Sequence, residues 1–185
     1  MPAAAPDRSA AGLLAARLCL TCGLCCDGTL FKDVQVAGAR DRDRLAAWGV
    51  RLQPASGRST APTRLPQPCQ ALDGCTCRVY PDRPSRCRDF ECLLFKSVLQ
   101  GKTGERAAGR IVRTAVQRRD RVRGLLAELG DQDSGAALSI RFRRMRERFE
   151  RGGEQDAGRL GLFGDLTMAV HDLNLALSQA FYPGD

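Results

Sequence analysis

Nine cysteines in 185 residues all fall between Cys19 and Cys92, and their spacing is the strongest chemical signal in the chain. The first group, Cys19-Leu-Thr-Cys22-Gly-Leu-Cys25-Cys26, is a dense run of four thiols. Two-residue gaps let successive Sγ atoms curl around one centre, because the intervening backbone can turn and aim its amides at sulfur; Gly23 suits such a turn. The vicinal pair Cys25-Cys26 sends neighbouring side chains apart, so the two should face different metals or different atoms of one cluster. The second group is Cys69, Cys75 and Cys77, followed by Cys87 and Cys92, with Pro68, Pro81 and Pro84 stiffening the loops that carry them. The one histidine, His171, is remote from both groups in sequence. Coordination should therefore be all thiolate, which favours zinc or iron–sulfur over magnesium, calcium or manganese. His171 itself is expected to be a packed residue of an apolar helix, not a ligand or a base.

Clustered cysteines mean disulfides, metal or redox chemistry, and the compartment decides among them. Residues 1–20 lack a clustered basic region, the short apolar stretch Ala10–Ala16 is interrupted by Arg17, and the cysteines start at once afterwards, so an export signal is not expected. No apolar run approaches the ~20 residues of a membrane span. A reducing, cytoplasmic setting is the expectation, and there metal is the default reading of clustered Cys. The formal charge of +8 comes from 29 Lys+Arg against 21 Asp+Glu, with much of the excess in the second half. The Arg-rich segment Arg141–Arg151 could meet an acidic protein partner. Nucleic acid is discounted, because coordinating thiolates would lower the net charge and the Arg face lacks aromatics for base stacking. No phosphate loop, paired catalytic carboxylates or Ser/His/Asp set appears, which argues against hydrolase and kinase chemistry.

Cys19-x-x-Cys22-Gly-x-Cys25-Cys26, then Cys77-Arg-Val-Tyr80 and Arg83-Pro84-Ser-Arg-Cys87-Arg88-Asp-Phe90-Glu-Cys92, in that order, resemble the CxxCxxCC cysteine-cluster family. The resemblance covers Cys19 through Cys92 and implies chelation of zinc or iron. Carried over by motif, it implies the ligands Cys19, Cys22, Cys25, Cys26, Cys69, Cys77, Cys87 and Cys92, with the metal ions as the partners bound. Cys75 is the surplus: a substitute ligand, an outer thiol donating to cluster sulfur, or a small residue on a turn. The same motif resembles the cysteine-rich part of flagellin lysine-N-methylases, which implies, by analogy only, an iron–sulfur cluster in a methylation context; the chain is short for that enzyme. Eight ligands fit two four-thiolate sites, or one cluster plus one mononuclear site, and the assignment of sulfurs to metals stays open at this stage. An iron–sulfur cluster or iron leads over zinc, because Cys-x-x-Cys-x-x-Cys is also a ferredoxin-like run. Arg83 and Arg88 are candidates to offset thiolate charge or donate hydrogen bonds to sulfur, or else pair with Asp82, Asp89 or Glu91 on the surface; Tyr80 and Phe90 would shield the site. Three function classes follow: a metal-binding module, a redox or methyl-transfer enzyme with one site open to substrate, and a thiol redox sensor triggered at an exposed Cys25-Cys26 pair.

The elements that must position these residues read as a mainly α fold. A loop-rich cysteine-liganded metal lobe packs on a three- to four-helix bundle, in one domain divided into a flexible N-terminus (1–17), the lobe (18–100) and a helical part (101–185). Within the lobe, Leu30–Val36 alternates as a short strand, Asp41–Trp48 reads as a helix capped by Asp41, and the Pro-rich stretch Arg51–Pro68 reads as a loop opposed to both helix and sheet. From Asp89 the pattern turns helical, with Phe90, Leu93, Leu94, Val98 and Leu99 spaced for one face and Gly101 ending it. A long helix over Glu105–Leu129 follows, weakened locally by Gly109 and Gly124 and capped at Gly130. Leu138–Arg151 places Leu138, Phe142, Met145 and Phe149 on one stripe. The last helix, Leu160–Phe181, has an apolar set broad enough to be largely buried.

Overall fold

The structure, a computed structural model, describes residues 8–54, 63–152 and 156–182. It is mainly helical, with seven α-helices and two small sheets among the described residues. Helix α1 spans Arg8–Cys22, α2 Ala39–Ala47, α3 Ser85–Asp89, α4 Leu93–Leu99, α5 Glu105–Glu128, α6 Leu138–Gly152 and α7 Ala157–Ala180. The larger core forms where their apolar stripes meet. On α5, Ala108, Val112, Ala115, Val122 and Leu126 recur at three-, four- and seven-residue intervals and are buried; on α7, Leu166, Ala169, Leu173 and Leu177 do the same. The two helices pack along each other, and each large aliphatic side chain withdrawn from water contributes roughly 1.5–3 kcal/mol. Helix α6 adds Leu138 and Met145, and its Phe149 stacks on Phe163 of α7 with ring centroids 4.4 Å apart. Helix α5 runs unbroken through Gly109 and Gly124 and ends at Gly130, whose φ of 87° is the left-handed backbone that glycine allows.

The apolar set of α7 is buried or half-buried as expected, while Leu160, Met168 and Leu175, outside that set, lie on the exposed side. One helical expectation needs correcting. Residues 8–17, expected as a flexible lead-in, are drawn into α1, since Leu14, Leu18 and Cys22 recur every four residues and pack on the larger core. Residues 1–7 lie outside the described residues. No helix among the described residues is long and apolar enough to cross a membrane.

The lobe is built on three short antiparallel strands in the order β1-β3-β2, with β1 at Asp33–Val36, β2 at Gln53–Pro54 and β3 at Thr63–Pro66. Val34 faces Leu65 across the ladder and Val36 faces Thr63, so one face of the sheet is aliphatic. That face joins Leu45, Val50, Ala71 and Val79 in a second, smaller core. The reading of Arg51–Pro68 as loop is thus corrected at both ends: burial of Leu65 overrides the poor strand propensity of its proline-flanked segment, and the prolines sit at strand ends, where a missing N–H does least harm. Residues 55–62 lie outside the described residues. Asp41 does not cap α2, whose first turn starts from Gly38. It is buried and reaches across to Ser85, accepting both the backbone N–H and the hydroxyl at 2.8 Å. The helical stretch expected from Asp89 starts instead at Leu93. Phe90 is drawn out of the helix to meet Phe31 edge-on at 4.9 Å, which separates α3 from α4. A two-stranded hairpin, β4 (Leu72–Asp73) and β5 (Thr76–Cys77), completes the lobe, followed by a 3₁₀ turn at Tyr80–Asp82.

Lobe and helices meet at the loop after Cys26. Leu24 and Leu30 are buried in the larger core, and Gly28 accepts the Leu138 N–H at 2.9 Å through its carbonyl. Gly28 has φ +81°, and a Cβ there would come within 2.9 Å of Ala137 Cα. Only glycine satisfies both the backbone angle and the close approach.

Candidate metal centre

Each cysteine is delivered by a local device. Cys19 and Cys22 lie on the last turns of α1, one helical turn apart. Gly23, at φ 65°, ends that helix and turns the chain so that Cys25 and Cys26 follow in a tight loop, with their Sγ atoms 3.5 Å apart. The Cys69 N–H donates to the Cys26 carbonyl at 2.7 Å, which ties the start of the second group to the end of the first. Cys75 sits on the turn of the β4–β5 hairpin, Cys77 on β5 and Cys87 on α3. Cys92 caps α4, its Sγ accepting the Phe95 N–H at 3.4 Å.

All nine cysteines line one cavity of about 290 Å³. None is in a disulfide; Cys19 is exposed and the other eight are half-buried. The Cys25-Cys26 pair, expected to be exposed, is therefore half-covered, and the accessible thiol is Cys19. The sulfurs share the cavity without closing on a point: among the described residues no three His, Cys, Asp or Glu side chains are gathered as a metal ion needs. The donor set nonetheless fits a soft metal, being thiol throughout.

The electrostatics of the cavity are dominated by burial of the thiols. Burial, with neighbouring thiolates adding to it, pushes Cys19 up to about 11 and Cys22 and Cys87 up to about 12. Burial also raises Cys69 and Cys92. Cys25 and Cys26 share one hydrogen bond, which holds Cys25 below the usual thiol range and pushes Cys26 far above it. Without a cation the centre therefore keeps most of its sulfurs protonated, and binding a metal must expel those protons.

Arg83 is the cation among them. Its guanidinium lies 3.8 Å over the Tyr80 ring, its Nε is buried with no hydrogen-bond partner, and its charge acts on Cys19, Cys25 and Cys87. Tyr80 and Phe90 line the cavity with it. Arg88 is not brought there: it is exposed and donates to Ser85 Oγ at 3.4 Å, while Arg86 lines the cavity instead. His171 is not packed but exposed on α7.

Sequence reasoning missed Asp27, directly after the vicinal pair. Its buried carboxylate receives Arg119 Nη1 at 2.8 Å, Arg123 Nη2 at 3.2 Å and the Thr29 N–H at 2.9 Å. Arg123 also donates to the Asp27 carbonyl at 3.0 Å. The only signal available was an acidic residue inside a cysteine motif of a basic chain, and its partners lie 92 and 96 positions away. Arg141, counted with an exposed basic face, is buried against Asp131 at 2.6 Å.

Among comparisons with known proteins, residues 18–108 match the model of the CxxCxxCC family, described as a "putative zinc- or iron-chelating domain". No curated protein and no solved structure matches the chain.

Proposed function

We propose, from the premise that the chain belongs to the CxxCxxCC family through residues 18–108, that it is a metal-binding protein holding iron as an iron–sulfur cluster. The thiolates are those of Cys19, Cys22, Cys25, Cys26, Cys69, Cys77, Cys87 and Cys92, and zinc in all-thiolate sites is the alternative. The observation that carries the reading is the single cavity that gathers thiols from α1, the hairpin, α3 and α4. Its volume, about 290 Å³, is more room than one bare ion fills and suits a polynuclear group. Such a group supplies electron transfer or structural cross-linking when bound. The chain's own contribution is a shielded thiolate cage, with Arg83 Nε–H free to donate to sulfur.

Nine unpaired thiols support a reducing, cytoplasmic setting. An acidic protein meeting the Arg141–Arg151 helix remains part of the reading, although Arg143, Arg146 and Arg151 already engage Glu147 or Glu150 on the same helix. The sensor reading has one observation in its favour: the hydrogen bond from Cys26 makes Cys25 the most acidic thiol of the vicinal pair. Metal and acid-labile sulfide content, measured with the visible spectrum on protein purified without oxygen, test the proposal. Iron with matching sulfide and a broad band near ~400 nm is expected. About two zinc ions per colourless chain would select the alternative, and a metal-free chain with all thiols reactive would sink both.

A further inference from the structure

We propose that the eight ligand cysteines form two separate four-thiolate sites set back to back: Cys19, Cys22, Cys25 and Cys92 on the helical side, and Cys26, Cys69, Cys77 and Cys87 on the sheet side. This rests on the metal-binding reading and deepens it by assigning every sulfur, with Cys75 in neither site.

The two hydrophobic cores make the division. Cys22, Cys25 and Cys92 pack against the larger, helical core, whereas Cys69 and Cys77 pack against the small core under the sheet. Cys19 belongs with the first set, because it lies one turn before Cys22 on α1 and α1 packs along α4, which Cys92 caps. Cys87 belongs with the second: α3 rests on β1, and Ser85 two residues earlier is held by Asp41 of α2, whose Leu45 is in the small core. Cys26 is joined to Cys69 through the 2.7 Å backbone hydrogen bond.

The vicinal pair is the seam. Cys25 packs on the helical core, whereas Cys26 does not and is tied through its carbonyl to Cys69, with the two sulfurs 3.5 Å from each other. Two four-thiolate sites so close would carry like charge, and Arg83 lines the cavity that both sets share, its buried Nε without a hydrogen-bond partner. Cys75 sits on the hairpin turn with its Sγ packed towards the Gly23 backbone, 3.5 Å from where a Cβ would be.

The test uses the full chain, stripped of metal without oxygen and loaded with cadmium(II) in sub-saturating steps. Free thiols are then alkylated with N-ethylmaleimide and mapped by intact and peptide mass spectrometry. Protection should appear in blocks of four, each partly loaded molecule sparing one complete set, and Cys75 should be labelled throughout. Partly loaded molecules that protect a mixture of the two sets, or that protect all eight sulfurs in one step, would overturn the assignment. A chain that protects nothing at any cadmium concentration would instead overturn the metal-binding reading on which it rests. Cys92→Ser and Cys77→Ser provide a second readout: each should lose one site's cadmium while the other set stays protected, and loss of the same set in both variants would refute the division.

Discussion

Asp27→Asn isolates the joint between the cysteine loop and α5. The substitution keeps Oδ1 for the Thr29 N–H and removes the charge that answers Arg119 and Arg123. Removing one partner of a fully buried pair costs ~3–5 kcal/mol. Here Arg119 keeps Asp120 at 2.8 Å and Arg123 is 34% exposed, so solvent and the second carboxylate recover part of that. The remaining cost is about 2 kcal/mol, in the range of a hydrogen bond to a charged group. For a chain of this length it corresponds to a drop of roughly 4–8 °C in melting temperature. Scanning calorimetry should be run with free zinc clamped by a metal buffer, because ligand concentration shifts the apparent stability. Arg119→Gln and the double variant complete a cycle, and a coupling of about 1–2 kcal/mol is expected for groups in direct contact. A melting point within about 1 °C of wild type, or strictly additive single substitutions, would refute the argument that Asp27 fastens the two halves.

Gly28→Ala should cost clearly more than Gly49→Ala. Both have positive φ, worth about 1 kcal/mol of strain, but only at Gly28 does the new Cβ meet backbone, at Ala137; equal effects in urea titrations would contradict that contact. Cys22→Ser and Cys87→Ser should each lose metal and loosen the lobe, since metal binding and folding are linked, while Cys75→Ser should retain full metal content by elemental analysis. The metal-free chain should lose stability as pH rises past ~8.5: unfolded thiols ionise there, whereas folded Cys22 and Cys87 hold their protons up to about 12, so the unfolded state gains. Melting curves against pH check this, and saturating zinc should abolish the alkaline loss. On the acid side, Asp41 is held below the usual carboxylate range by the Ser85 backbone N–H. Its contribution is complete above ~pH 4 and lost as pH falls through the lowered value, so Asp41→Asn should flatten that limb of the stability curve.

What could be read in the sequence follows from range. Helices α5, α6 and α7 were visible because their stripes repeat within a few residues, as Leu166, Ala169, Leu173 and Leu177 do. The cysteine spacing was visible for the same local reason. Strand β3 was hidden because Thr63–Pro66 owes its conformation to Leu65 meeting Val34 some thirty residues earlier, against local propensity. The break between α3 and α4 was hidden because Phe31, distant in sequence, draws Phe90 out. Arg83 and Arg88 looked equivalent beside the motif, and only the turn at Tyr80–Asp82 and the helix at Ser85–Asp89 send one to the sulfurs and the other to solvent. Which core each sulfur packs against was out of reach, since the larger core draws on residues 14–31 together with 92–182 and the smaller on residues 34–79.

The salt bridge from Asp27 to Arg119 spans 92 positions, and this gives the protein a calendar. A ribosome adds ~5–20 residues per second, so the first cysteine loop exists for about 5–20 s before its arginine clasp has been made. Leu138, whose N–H closes on Gly28, arrives later still. During that interval the thiols are present without their scaffold, open to oxidants and to whichever metal the cell offers first. The thiols can thus be enclosed only once α5 and α6 have been made, and slower translation through those helices should raise the fraction of newborn chains whose thiols are oxidised.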